Sequence, residues 1–140
     1  MLRVAIDTNV VVAAARSNQG ASHRLLRLIG PEAPFQVTLS VPLALEYEMA
    51  LKRRTDLDDE AAEAIVDYLC QVADRREIYF LWRPFLKAPA DEMVLEVAVG
   101  GGVQCIVTHN LADFEGVQEQ FGIRVTTPGA FMMELEGKTT

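Results

Sequence analysis

Apolar strand-like runs alternate with helical patterns along this chain, and acidic residues stand where the runs give way. Asp7 closes Val4-Ala5-Ile6 and opens Asp7-Thr8-Asn9. Glu46 follows the strand-like Val37-Thr38-Leu39-Ser40 inside a helical pattern. Asp91 begins the helical run to Ala98, and Asp113 lies just after the apolar Cys105-Ile106-Val107-Thr108. Such alternation predicts an α/β domain, a central parallel sheet with helices on both faces. Open sheets of this kind hold their ligands outside the carboxyl ends of the strands. If these strands are parallel neighbours, the four acids gather at one edge. Gathered carboxylates repel one another unless a cation neutralises them. An all-oxygen ligand set suits Mg²⁺ or Mn²⁺.

The pattern resolves into elements. Arg3–Asp7 reads as a first strand, buried on both faces because its apolar run is almost continuous. Helices are expected over Val10–Arg16 and Ala21–Ile29, the second capped or preceded by Ser22 and ended by Gly30-Pro31. A second strand covers Gln36–Ser40, and Pro42 suits the first turn of a helix to about Arg54. Asp56–Arg76 reads as one long amphipathic helix, with Ala61, Ala64, Ile65, Tyr68, Leu69 and Val72 at helical spacing. Ile78–Leu81 is a candidate short strand and Pro84–Pro89 a loop. Asp91–Val99 is a helix closed by three glycines, and Cys105–Thr108 a buried strand. Leu111–Phe121 is a short helix or turn, Gly122–Val125 the last strand. Thr127 caps a final helix from Pro128. No repeat or linker interrupts residues 1–140, so one domain is expected.

Composition narrows the class. The 140 residues are half hydrophobic, enough for one core. No apolar run approaches the ~20 residues of a membrane helix, and the N-terminus lacks signal-peptide features, so a cytoplasmic protein is expected. Cys70 and Cys105 each fall in an apolar pattern and read as buried free thiols. The net charge of −7 argues against a high-affinity nonspecific nucleic-acid binder. It leaves a nuclease open, because bound cations offset the acids of a site.

Each acid also has a plainer reading. Asp7, Thr8 or Asn9 could cap the following helix. Glu46, like the neighbouring Glu48, could be a solvated helical residue. Asp91 could be a helix cap favoured by the dipole, and Asp113 a turn former. Their joint spacing favours a shared site. His23 reads as structural or surface. His109, close to the proposed site, reads as a surface or supporting residue rather than a general base. Arg16, Arg24, Arg27 and Lys52-Arg53-Arg54 could contact phosphates at a cleft rim, or could simply face solvent or a helix dipole. Trp82 and Phe85 could stack on bases but fit packing better, and Phe131-Met132-Met133 fits a core.

With these residues in place the chain resembles the PIN-domain nucleases, in particular the PIN-family (VapC-like) toxins of bacterial toxin–antitoxin pairs. The resemblance covers essentially the whole chain. It rests on Asp7-Thr8-Asn9, on Glu46 in Leu45-Glu46-Tyr47, on Asp91, and on Thr108-His109-Asn110 followed by Asp113-Phe114. It implies that Asp7, Glu46, Asp91 and Asp113 are catalytic acids holding one or two Mg²⁺ or Mn²⁺ ions. It also implies that Thr8, Asn9, Thr108 and Asn110 support them. The activity implied is endonucleolytic hydrolysis of RNA. The partners implied are RNA, an antitoxin protein that covers or enters the cleft, and a second copy in a homodimer. One departure stands out: an acidic stretch common in this branch reads Ala88-Pro89-Ala90-Asp91 here. Only its last acid remains, with Glu92 beside it.

Two other classes compete. One is a catalytically weak PIN-fold protein that binds RNA or a partner. The other is an aspartyl-phosphate phosphatase, which needs a second Asp two residues after the nucleophile. Asn9 stands there instead, and no suitably placed Lys is evident.

Overall fold

A computed structural model describes residues 1–77 and 85–137. The candidate strand Ile78–Leu81, Trp82 and the start of the loop at Pro84 lie outside the described residues. Within them the chain alternates β1 (Leu2–Ile6), α1 (Thr8–Arg16), α2 (Ala21–Leu28), β2 (Phe35–Leu39), α3 (Val41–Arg54), α4 (Asp59–Val72) and β3 (Asp74–Arg75). Then come α5 (Pro89–Gly100), β4 (Cys105–Val107), a 3₁₀ turn (Leu111–Phe114), α6 (Val117–Phe121), β5 (Arg124–Thr126) and α7 (Pro128–Leu135).

The described strands form one sheet in the order β3-β2-β1-β4-β5, and every pairing is parallel. This is the expected α/β class. Val4, Ala5, Ile6, Cys105, Ile106 and Val107 are buried, as strands covered on both faces require. The chain runs from β1 outward to β3, then returns to β4 on the other side of β1. Strand order therefore reverses between β1 and β4, which is where open α/β sheets leave a crevice. The helix caps follow the chemistry of their residues. Ser40 accepts from the Leu43 N–H, Asp58 from Ala61 and Thr127 from Ala130.

Some boundaries differ from expectation. Gly20, with φ of 99°, is the residue before α2, and Ser22 makes no cap hydrogen bond there. A left-handed backbone suits glycine, and the Ser22 hydroxyl is engaged elsewhere. The long helix ends at Val72, because Ala73 turns extended and Asp74–Arg75 pairs with Thr38–Leu39 at the sheet edge. Helix α5 starts at Pro89, two residues before Asp91, because proline fits a helix's first turn. The apolar residues of α1 are core: Val10, Val11, Val12 and Ala14 are buried. No described helix is long and apolar enough to cross a membrane.

Candidate metal centre

Strand β1 delivers Asp7 to the crevice. Its N–H donates to the Val107 carbonyl (2.9 Å), so the ladder to β4 continues through Asp7. Its backbone then turns into α1, with Asp7 at the N-cap position but making no side-chain cap bond. The carboxylate instead accepts from Thr108 Oγ1 at 2.7 Å. Thr108 Oγ1 in turn accepts the Asn110 N–H at 3.0 Å, and Asn9 Oδ1 accepts the His109 N–H at 3.4 Å. Asp7 and Thr108 are both buried. Two polar turns, one after each central strand, thus hold a carboxylate that water barely reaches.

The electrostatics tie three of the four expected acids together. Burial raises the Asp7 carboxyl and the negative charge of Asp113 raises it further. The bonds from Thr108 and the Thr8 N–H, with His109 nearby, pull the other way. Asp91, in the first turn of α5, is pushed up to about 6 by burial and then by Asp7, Asp113 and Glu92. A cation among carboxylates placed this way would offset their repulsion.

Glu46 is not among the charges that raise either group. It stands half-buried in α3, next to Tyr47, whose buried hydroxyl donates to the carbonyl of Ile6. Glu92, the expected helper of Asp91, is engaged otherwise: its carboxylate accepts from the N–H groups of Phe85 (3.1 Å) and Leu86 (2.7 Å). It fastens the approach to α5.

Two residues escaped the sequence. Ser22 lies 2.7 Å from His109 Nε2 and braces the turn after β4. Tyr47 anchors α3 under the last residue of β1. Nothing local marks Ser22, since its partner is 87 positions away. Tyr47 had a faint signal, its place beside Glu46. His23, as expected, is structural: its Nδ1 contacts the Ala14 carbonyl at 3.1 Å.

The donor chemistry fits a hard cation, being carboxylate and hydroxyl oxygen throughout. The Thr8 hydroxyl beside Asp7 is buried with no hydrogen-bond partner among the described residues, an oxygen left over for a ligand or water. As the side chains lie, no three His, Cys, Asp or Glu among the described residues stand close enough to hold an ion. The acids are neighbours rather than a closed ligand shell.

An α/β domain with acids grouped at the switch point of a parallel sheet is thus defined by fold and site together. The PIN domain family model matches residues 3–112, and the chain belongs to that family. Among solved structures it is similar to the VapBC2 complex of Rickettsia felis bound to a DNA fragment from their promoter. The TM-score is 0.60 at 11% identity, covering 90% of this chain and 98% of that one. A comparison with curated protein sequences finds no match.

Proposed function

We propose that this protein is a metal-dependent endoribonuclease, the toxin of a toxin–antitoxin pair. The observation that carries the reading is a shared elevation: burial and then the charges of Asp7 and Asp113 raise Asp91, and burial and Asp113 raise Asp7. Carboxylates so placed are poised for a cation at pH 7. Asp7, Glu46, Asp91 and Asp113 would hold one or two Mg²⁺ or Mn²⁺ ions, Glu46 reaching in from α3. When bound, the metal would lower the pKa of water and offset charge on a phosphodiester. The chain's own residues do the positioning. Thr108 fixes the Asp7 carboxylate, Asn110 fixes Thr108, and Asn9 holds the His109 backbone. Thr8 is the free hydroxyl available to orient a water.

The likeness to a VapBC complex supports an antitoxin partner. Between α1, α2 and α4 lies an apolar groove of about 330 Å³, lined by Val11, Ala14, Leu26, Ile65, Tyr68 and Leu69 among others. It offers an apolar segment of that partner a seat. An Arg from the partner among the carboxylates would replace the metal's charge with fixed charge. The whole reading places the protein in the cytoplasm.

The test is cleavage of single-stranded RNA with Mn²⁺, with chelator, and with Asp7→Asn. Activity should need metal and should fall at least about 100-fold in the variant, the scale of losing a group that acts in the transition state. Metal-independent cleavage, or full activity of Asp7→Asn, would remove the proposal. RNA binding without cleavage would favour the catalytically weak alternative.

A further inference from the structure

Three arginines converge away from the carboxylates. Arg16 ends α1, Arg53 and Arg54 end α3, and all three line one open pocket of about 550 Å³ with Ala15 and Thr55–Leu57. Lys52 pairs with Glu48 and Glu63, Arg76 with Asp74 and Arg124 with Glu134. Arg16, Arg53 and Arg54 have no ion-pair partner among the described residues. Asp56 is the one carboxylate in the pocket lining. In a chain of net charge −7, three neighbouring guanidinium groups without partners form a local reversal of sign. The ends of two helix dipoles account for part of that preference. They do not account for the arginines sharing one concavity.

The helices connect this pocket to the acids. α1 and α3 pack side by side, and each starts at the carboxyl end of a neighbouring strand. Along α1, Asn9, Ala13 and Arg16 share one face by spacing, and they are the partly or fully exposed positions on it. Along α3, Glu46 and Arg53 are two turns apart on one face. In each helix seven residues, about 10 Å, separate the site residue from the arginine. Two parallel tracks thus lead from the acidic edge to the basic pocket.

We infer that the Arg16–Arg53–Arg54 pocket binds a backbone phosphate of the substrate strand, a few nucleotides from the bond cleaved. Guanidinium forks match phosphate oxygens two at a time. A site built this way holds the strand by charge and leaves base identity unread. It also offsets the repulsion an acidic protein exerts on RNA. The inference rests on the nuclease reading of the carboxylate edge.

The experiment measures binding of a fluorescein-labelled single-stranded RNA 12-mer by anisotropy, in chelator, over a salt series. The proteins are wild type, the triple variant Arg16→Gln/Arg53→Gln/Arg54→Gln, and the triple Lys variant. All three side chains are solvent-facing, and circular dichroism melts verify folding. Each phosphate contact on a single strand contributes about 0.7 to the slope of log affinity against log salt. The Gln variant should lose about 0.7 in slope, and about fivefold in affinity at 0.1 M salt. The Lys variant should recover most of the slope, because it keeps the charge. No measurable binding by wild type, or the same slope in wild type and Gln variant, overturns the assignment. So does competition by poly-glutamate or inorganic phosphate at the arginines with an unchanged RNA slope, which would mark an acidic protein segment or a simple anion site. The two readings fail separately. A slope change without cleavage removes the nuclease and keeps the pocket; cleavage with no slope change does the reverse.

Discussion

Asp91 concentrates the electrostatics of the acidic edge in one side chain. Its carboxyl is held at about 6 by burial and by Asp7, Asp113 and Glu92, against 3.8 for a free aspartate. The folded state therefore keeps a proton over a range where the unfolded chain has lost it. By linkage, stability in the absence of metal falls as pH rises from about 4 to about 6 and then stays low. Asp91→Asn removes the charge that is penalised. In chelator at pH 8 the variant should melt above wild type. The side chain is partly solvated, so the gain is discounted to about 1 kcal/mol, or about 2–4 °C in Tm at this size. The difference should close near pH 4, and Mn²⁺ should reverse the order by stabilising wild type alone. Melting curves at pH 4, 6 and 8, in chelator and in Mn²⁺, give the answer. A variant that melts below wild type at pH 8 in chelator would show that Asp91 is not under repulsion. The sequence carried this residue openly, as an acid at the start of a helix. It carried Thr108 and Asn110 as well, because a strand followed by Thr-x-Asn is a local pattern. It could not carry the value near 6, which arises first from burial in the fold and then largely from charges 84 and 22 positions away.

At the scale of elements, periodicity was legible wherever an element was long enough to have a period. β1, α3 and α7 lie within a residue or two of their sequence ranges, and Ser40, Pro42, Thr127 and Pro128 mark starts that local chemistry dictates. β3 was not legible. Two residues have no alternation, and Asp74 and Arg75 become a strand only because β2 offers an edge, with the Arg76 N–H donating to the Leu39 carbonyl at 2.8 Å. The same interlock of elements makes Gly101 special. A Cβ there would sit 2.7 Å from the Val97 carbonyl oxygen and 2.8 Å from Thr38 Cγ2. The Thr38 contact joins the end of α5 to β2, and so helps fix where α5 presents Asp91. Gly101→Ala should cost about 1–3 kcal/mol as an overpacked core does. Gly129→Ala, in α7 with nothing within 4 Å, should be neutral or slightly stabilising. Urea unfolding of the pair separates a steric demand from a general one. Equal stability of the two variants would mean α5 and β2 can part at no cost.

At the scale of the whole molecule, the exposed apolar surface decides where a second copy can pack. Most of the apolar side chains of α1 are in the core and offer a second copy nothing to pack on. Among the exposed apolar side chains, three form a stripe on α3: Val41, Leu45 and Met49 are 65%, 54% and 45% exposed. Their spacing of four places them along one side of the helix. Side chains this apolar in a row on a surface mark an interface more often than chance exposure does. The stripe runs beside Glu46, so a second copy packed there would also exclude water near the acid that the electrostatics leave outside the group. A homodimer through paired α3 helices is the expected assembly. Light scattering at tens of micromolar, roughly where a micromolar interface is filled, should give twice the chain mass for wild type. Leu45→Glu should give one chain mass with an unchanged fold, because the residue is exposed in the single copy. A monomeric wild type at that concentration would dispose of the dimer. A dimeric Leu45→Glu would place the interface elsewhere, and Tyr68 on α4, 47% exposed, would be the next position to change.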